Sequence, residues 1–179
     1  MAKTIWDWVT SIVIALAIAI FINAFVFQRM VVAGPSMEPT LKDGEYLLVQ
    51  KVTHTFDQLP AYGDVVVIDS RIQRERSVTD DLVEPIGKWL NKSDYVYVKR
   101  VVGRPGDTLE FNNGSVYRNG QLLNETYVKE EDRHYADKTV TVPPGHIFVM
   151  GDNRNNSLDS RWLGSIPLNH CLGNVFGKL

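Results

Sequence analysis

Between Trp8 and Gln28 the chain carries no charged residue, and this run of 21 residues, bounded by Asp7 and Arg29, restricts its folding more than any other feature. As a helix rising about 1.5 Å per residue it covers roughly 30 Å, the thickness of a bilayer's hydrocarbon core. Its centre, IVIALAIAIFINAFVF, holds one amide, Asn23. So long an uncharged stretch in a chain of 179 residues reads as a membrane anchor rather than as the buried helix of a globular core. A cleavable leader is the competing reading, because small residues fall near the end of the apolar run. Against it, the apolar part is longer than a leader usually has and a single lysine precedes it. The first candidate for chemistry also follows within a few residues. Trp6 and Trp8 suit the aromatic belt of a membrane surface, whereas Lys3 on one side and Arg29 on the other leave orientation undecided by charge.

The remainder is long enough for one domain and too short for two with separate cores. A net charge of -2 with both signs mixed along the chain gives nucleic acid no general attraction. Cys171, the only cysteine, excludes an internal disulfide and a thiolate metal cluster. From Met30 onward, short apolar or alternating runs predict strands at Tyr46–Val52, Asp64–Ile68, Tyr95–Val102, Thr108–Phe111, Ser115–Arg118 and His146–Met150. Asn113-Gly114 and Asn119-Gly120 sit between such runs and predict tight hairpins, so the domain is mainly β. The charged stretches 69–94 and 129–138 show no core face and read as exposed loops or an insertion, the first with a short helix around Leu82–Leu90 limited by Pro85. The expected organisation is an anchor over residues 1–29 and a β domain over 30–179.

Three segments carry side chains suited to chemistry. In Val31–Leu41, Gly34, Pro35 and Pro39 force a bend that can present Ser36 outward beside free backbone amides, although a serine beside Gly and Pro also serves as a plain turn residue. In Tyr95–Gly103, alternation sends Lys99 and Arg100 to opposite faces, so at least one cation enters an apolar face. A lysine placed there loses hydration and becomes a usable base, which an arginine does not; a lysine snorkelling at a strand edge is the bland alternative. Gly151–Arg161 is almost wholly polar and reads either as a surface turn or as a shell fixing catalytic groups. There Asp159 and Arg161 could pair, and Ser157 could hold an amine by hydrogen bonding.

Taken in order, the anchor, SMEPTL at Ser36–Leu41, GDVVV at Gly63–Val67, YVKRVVGRPGD at Tyr97–Asp107 and GDNRNNSLDSR at Gly151–Arg161 closely resemble the type I signal peptidases. These are Ser/Lys proteases that remove signal peptides from exported preproteins. The resemblance implies a compact β catalytic domain of antiparallel sheets, with Ser36 as nucleophile and Lys99 as general base through an acyl-enzyme. It makes Ser157 the hydroxyl beside the lysine, Asp159 with Arg161 a supporting ion pair, and Met37, Tyr97 and Val98 the lining of pockets for small side chains. Where some members carry a serine two positions before the nucleophile, this chain has Gly34, so the oxyanion must rely on backbone, with the Ser36 amide as donor. The resemblance further implies no cofactor or metal, and as partners signal peptides of secretory preproteins, the lipid bilayer and the translocation machinery. It also implies a single span in a bacterial cell membrane, with a short cytoplasmic amino end and an extracytoplasmic site close to the bilayer.

Other chemistries fit less well. A Ser/Lys self-cleaving repressor would need a DNA-binding domain where this chain has its anchor. A Ser-His-Asp hydrolase would draw on His54, His134, His146 or His170 without any G-x-S-x-G elbow. Metal hydrolysis lacks an H-E-x-x-H or a close His/Asp cluster. An inactive, membrane-tethered β domain that binds exported peptides is the alternative of a different class.

Overall fold

The computed structural model describes residues 2–51, 58–76, 80, 95–130, 132 and 135–179. Helix α1 spans Ala2–Phe25, and its apolar segment Thr4–Ile22 is buried against nothing, leaving Trp6, Trp8 and the aliphatic side chains exposed on all sides. Two hydroxyls within it are satisfied internally: Thr10 donates to the Trp6 carbonyl at 2.8 Å and Ser11 to that of Asp7 at 2.9 Å. The helix stops short of the end of the uncharged run. Strand β1, Phe27–Val31, begins two residues after Phe25, so the boundary expected at residue 29 falls inside a strand and the helix and sheet are joined almost directly.

Two antiparallel sheets follow. The larger runs β1–β2–β11–β3–β4–β9–β10, with β2 at Tyr46–Gln50, β3 at Val65–Asp69, β4 at Val96–Gly103, β9 at His146–Met150, β10 at Ile166–Pro167 and β11 at Cys171–Lys178. The smaller runs β7–β6–β5–β8, with β5 at Thr108–Asn112, β6 at Ser115–Arg118, β7 at Gln121–Leu122 and β8 at Lys138–Thr141. Asn113-Gly114 and Asn119-Gly120 all have positive φ and make the two hairpin turns that join β5, β6 and β7. All six expected strands are present. Among the described residues five more form: β1, β7, β8 and β10 are short or carry polar residues, and β11 is interrupted by Gly173 and Gly177 at register shifts against β3 and β2.

Alternation along the strands buries both faces of the larger sheet. One face holds Val32, Met37, Leu41, Leu47, Val49, Val67 and Leu172. The other holds Val66, Ile68, Val101, Ile147, Val149, Ile166 and Cys171, and the end of the sheet joins the smaller one through Phe111, Phe148 and Met150. Burial pushes the Cys171 thiol up to about 12, which leaves it a small inert apolar residue. The charged stretch 69–94 does not begin as exposed loop: Asp69 is buried and gripped by Arg71 and Arg76. In the stretch 129–138, Asp132 is likewise buried, against Arg161. The helix expected around Leu82–Leu90 lies outside the described residues.

Candidate active site

Strand β4 decides where the two adjacent cations go. Its register pairs Lys99 with Val66 of β3, on the face that also carries Tyr97 and Val101, and sends Arg100 to the opposite face. Lys99 is 2 % exposed. Burial is the main cause that lowers its pKa, to about 8; Asp159 raises it, Arg161 lowers it and Asp152 raises it by lesser amounts. Its amine contacts Ser36 Oγ at 2.9 Å, donates to the Val98 carbonyl at 3.0 Å and lies 5.3 Å from the centre of the Tyr97 ring. Snorkelling is thereby excluded for Lys99. Arg100 finds its own acid instead: it donates through Nε at 2.8 Å and Nη2 at 2.6 Å to buried Asp152. Burial works against that charge, but the bonds to Asp152 and its charge outweigh burial and hold the guanidinium above its ordinary value.

The bend after β1 presents Ser36 as its Gly and Pro content predicts. The Asn153 N–H donates to the Ser36 carbonyl at 3.1 Å, and the Asn153 amide side chain donates to Pro35 O at 3.1 Å, so the bend is pinned on the Gly151–Arg161 segment. Gly34 takes φ +89°, a region that strains a residue with a side chain, and its N–H donates to Asp43 Oδ1 at 2.7 Å. Gly34 therefore shapes the bend, and its amide is already engaged. The Ser36 N–H has no acceptor among the described residues and is the backbone donor open to an oxyanion.

Asp159 organises the third segment. Fully buried, it caps the short helix α2, Ser160–Leu163, and binds Arg161 through the Arg161 N–H, Nε and Nη2 at 3.2, 2.9 and 2.8 Å. Its Oδ2 also accepts the Gly151 N–H at 2.9 Å and the Ser157 hydroxyl at 2.6 Å. Ser157 thus differs from expectation: its hydroxyl donates to Asp159, while the Lys99 amine bonds Ser36 Oγ and the Val98 carbonyl instead of Ser157. Ser157 still packs at the site. A Cβ on Gly151 would lie 2.2 Å from Ser157 Oγ and 2.5 Å from Ser36 O, so only glycine lets these segments meet.

Among the other expected site residues, Tyr97 and Val98 are half-buried beside the amine, while Met37 is 0 % exposed and packs in the core beneath the bend. Apolar packing wins over solvent contact there, so Met37 presents no open surface to a substrate. His146 contacts Pro144 O and His170 faces Asp69 O, so neither approaches Ser36; His54 and His134 lie outside the described residues. Sequence reasoning did not assign Arg100 with Asp152, Asn153, or Arg154 with Glu125. Arg100, Asp152, Asn153 and Arg154 all stand in the quoted motifs, which is signal enough to suspect them, whereas Glu125 stands in no motif.

The family described as signal peptidase, peptidase S26 matches residues 5–178. A signal peptidase I of Bacillus amyloliquefaciens is 37% identical over 182 residues, 96% of this chain and 83% of that one. A probable signal peptidase I-1 of Synechocystis is 38% identical over 164 residues, 92% and 76% of the two chains. The crystal structure of a signal peptidase I from Enterococcus faecalis aligns with a TM-score of 0.48 and 26% identity, over 65% of this chain and 97% of that one. The match over nearly the whole chain makes this protein a serine peptidase that belongs to the signal peptidase, peptidase S26 family.

Proposed function

We propose that the chain is a membrane-anchored endopeptidase that removes N-terminal signal peptides from exported preproteins through a Ser36/Lys99 dyad. The observation that carries this reading is the 2.9 Å contact between Ser36 Oγ and a buried amine whose pKa is lowered to about 8. Near neutrality a useful fraction of that amine is unprotonated and accepts the hydroxyl proton as Ser36 attacks the scissile carbonyl. The developing oxyanion meets the Ser36 N–H. Lys99 then passes its proton to the departing amine of the mature protein, leaving the signal peptide esterified to Ser36. A water deprotonated by Lys99 attacks the ester, and Ser36 regains its proton from Lys99. Tyr97 and Val98 line the approach and favour small side chains before the cut, with Met37 supporting the bend from below. No cofactor enters the reaction.

The long apolar helix supports a single span in a bacterial cell membrane. Because substrates emerge after translocation, the amino end is cytoplasmic, the β domain is extracytoplasmic, and the translocation machinery is a neighbour. The short link from α1 to β1 supports a site near the bilayer, where a signal peptide still held in lipid can reach it.

The test is cleavage of a secretory preprotein by the detergent-solubilised chain, with Ser36→Ala, Lys99→Ala and Lys99→Arg alongside and the mature amino terminus sequenced. Cutting after a small residue by the parent alone is expected, since a guanidinium stays charged and accepts no proton. Activity in Lys99→Arg would sink the dyad. Stable binding of uncut preprotein by the parent would replace it with a tethered peptide-binding domain.

A further inference from the structure

After β7 the chain leaves the small sheet through a segment, residues 123–130, that has no part in the chemistry above yet touches every segment that does. Glu125 accepts hydrogen bonds from Arg154 Nη1 at 2.9 Å and Nη2 at 2.5 Å, and a third from the Tyr127 hydroxyl at 3.0 Å. The Tyr127 ring lies 4.0 Å from the guanidinium of Arg100, the neighbour of Lys99 on β4. The Lys129 N–H donates to the Asp152 carbonyl at 3.1 Å, and Lys129 Nζ to Glu38, two residues past Ser36, at 2.8 Å. We propose that Glu125 is a positioning residue of the peptidase reaction, and that the strap from Glu125 to Lys129 holds the Ser36 bend, the Lys99 strand and the Gly151–Arg161 segment in mutual register.

The chain of contacts is short. The Arg154 side chain is 1 % exposed, and Glu125 is the carboxylate that pairs it among the described residues. From there Arg154 Nε donates to the Gly151 carbonyl at 3.1 Å, and the Arg154 carbonyl accepts from Arg161 Nη2 at 2.7 Å. Glu125 thereby fixes the backbone at Gly151, where it presses on Ser36, and the arginine that grips Asp159. Without it a buried guanidinium is left uncompensated, and the segment must shift to hydrate it. Burial, reinforced by the Glu125 charge, holds the Tyr127 phenol above its ordinary range, so it stays a donor to that carboxylate. A dyad closing at 2.9 Å tolerates little displacement, and about 1 Å of misplacement can cost a hundredfold in rate.

The proposal rests on the Ser36/Lys99 reading. Its test compares Glu125→Gln, Glu125→Asp and Tyr127→Phe with the parent on a preprotein across pH, per folded molecule as fixed by near-ultraviolet circular dichroism, with Ser36→Ala in parallel. For Glu125→Gln we expect kcat to fall about a hundredfold with KM within about twofold. The acid limb of kcat/KM should move to higher pH as water reaches Lys99, and Glu125→Asp should recover part of the rate. Unchanged kcat and an unmoved acid limb, whatever the melting temperature, would reduce the strap to a structural element and overturn the proposal. Should Glu125→Gln not fold, Tyr127→Phe decides, with about a fivefold loss of kcat expected for one missing hydrogen bond and no loss overturning it. Cleavage by Ser36→Ala removes the Ser/Lys reading and the proposal together; a dead Ser36→Ala beside a fully active Glu125→Gln removes the proposal alone.

Discussion

The tripeptide Asp-Ser-Arg occurs twice, at residues 69–71 and 159–161, and both copies fold into the same clamp. In each, the aspartate accepts the backbone N–H of the arginine two residues on, at 3.0 and 3.2 Å, and its Nε at 2.9 Å in both. Each closes with an Nη2 contact, at 2.6 and 2.8 Å. What differs is the rest of each carboxylate's coordination. Asp69 takes a second arginine, Arg76, while Arg71 stays partly exposed over the Tyr95 ring. Asp159 instead takes the Ser157 hydroxyl and the Gly151 N–H, and its arginine is sealed in by Asp132. The clamp is thus a local property of the tripeptide. Its consequence is set by the neighbours: one copy closes the end of β3, the other sets the wall against which Ser36 and Lys99 meet.

The sharpest way to separate the two copies is through the glycine that only one of them holds. Gly151→Ala drives a methyl into Ser157 and into the Ser36 carbonyl, and we expect kcat/KM on a preprotein to fall at least about a hundredfold. Near-parental activity would show that the Asp159 clamp does not set the position of Ser36.

A milder break neutralises each aspartate in turn. Asp69→Asn removes the carboxylate that grips Arg71 and buried Arg76, and Asp159→Asn removes one of the two that hold buried Arg161, so each should lose at least about 1 kcal/mol in urea unfolding. Only Asp159→Asn should lower kcat per folded molecule, by about tenfold, with Asp69→Asn within about twofold of the parent. The pH profile adds a signed test. With Lys99 at about 8 and serving as base, kcat/KM should fall as pH drops below that value and the amine gains its proton. The Asp159 charge raises the Lys99 pKa, so its removal should move the acid limb to lower pH, while Asp69→Asn should leave the limb in place. Equal effects of the two variants on kcat and on the limb would erase the distinction.

The two copies also measure how far sequence reasoning reaches. Asp159 and Arg161 are recognisable because they end a polar segment that follows an apolar strand. Asp69-Ser70-Arg71 is the same chemistry, but charge of mixed sign continues after it, and that density hides a buried carboxylate among solvated neighbours. Six strands follow from alternation and the hairpins from Asn-Gly; β1 was hidden because its first residues continue an uncharged run that reads as helix, and β11 because its two glycines break the pattern. The period of a strand separates Lys99 from Arg100, whereas which of the two enters the apolar face is settled by the fold. That the Lys99 amine bonds Ser36 and the Val98 carbonyl, while the Ser157 hydroxyl bonds Asp159, is decided by three-dimensional placement, and sequence spacing holds no record of that. Glu125 is the clearest case, since its partner Arg154 is 29 residues away and only the fold brings them together.

The smallest expected effect isolates the Asp69 copy. Burial alone would raise that carboxyl, but hydrogen bonds from Arg71 and then Arg76 outweigh burial and hold it down at about 2, below its ordinary 3.8. A pKa depressed in the folded state gives stability that is complete above the unfolded value and is lost as pH falls through the folded one. The window is therefore about pH 4 to 2, and the contribution, reduced by the partly exposed Arg71, is about 1 kcal/mol. Urea unfolding of the parent should steepen its loss of stability across that window, and Asp69→Asn, which has no proton to gain there, should flatten it. An acid arm that keeps its parental slope in Asp69→Asn would mean that the arginines hold Asp69 no more tightly than water does, and the likeness between the two clamps would then be one of geometry without energy.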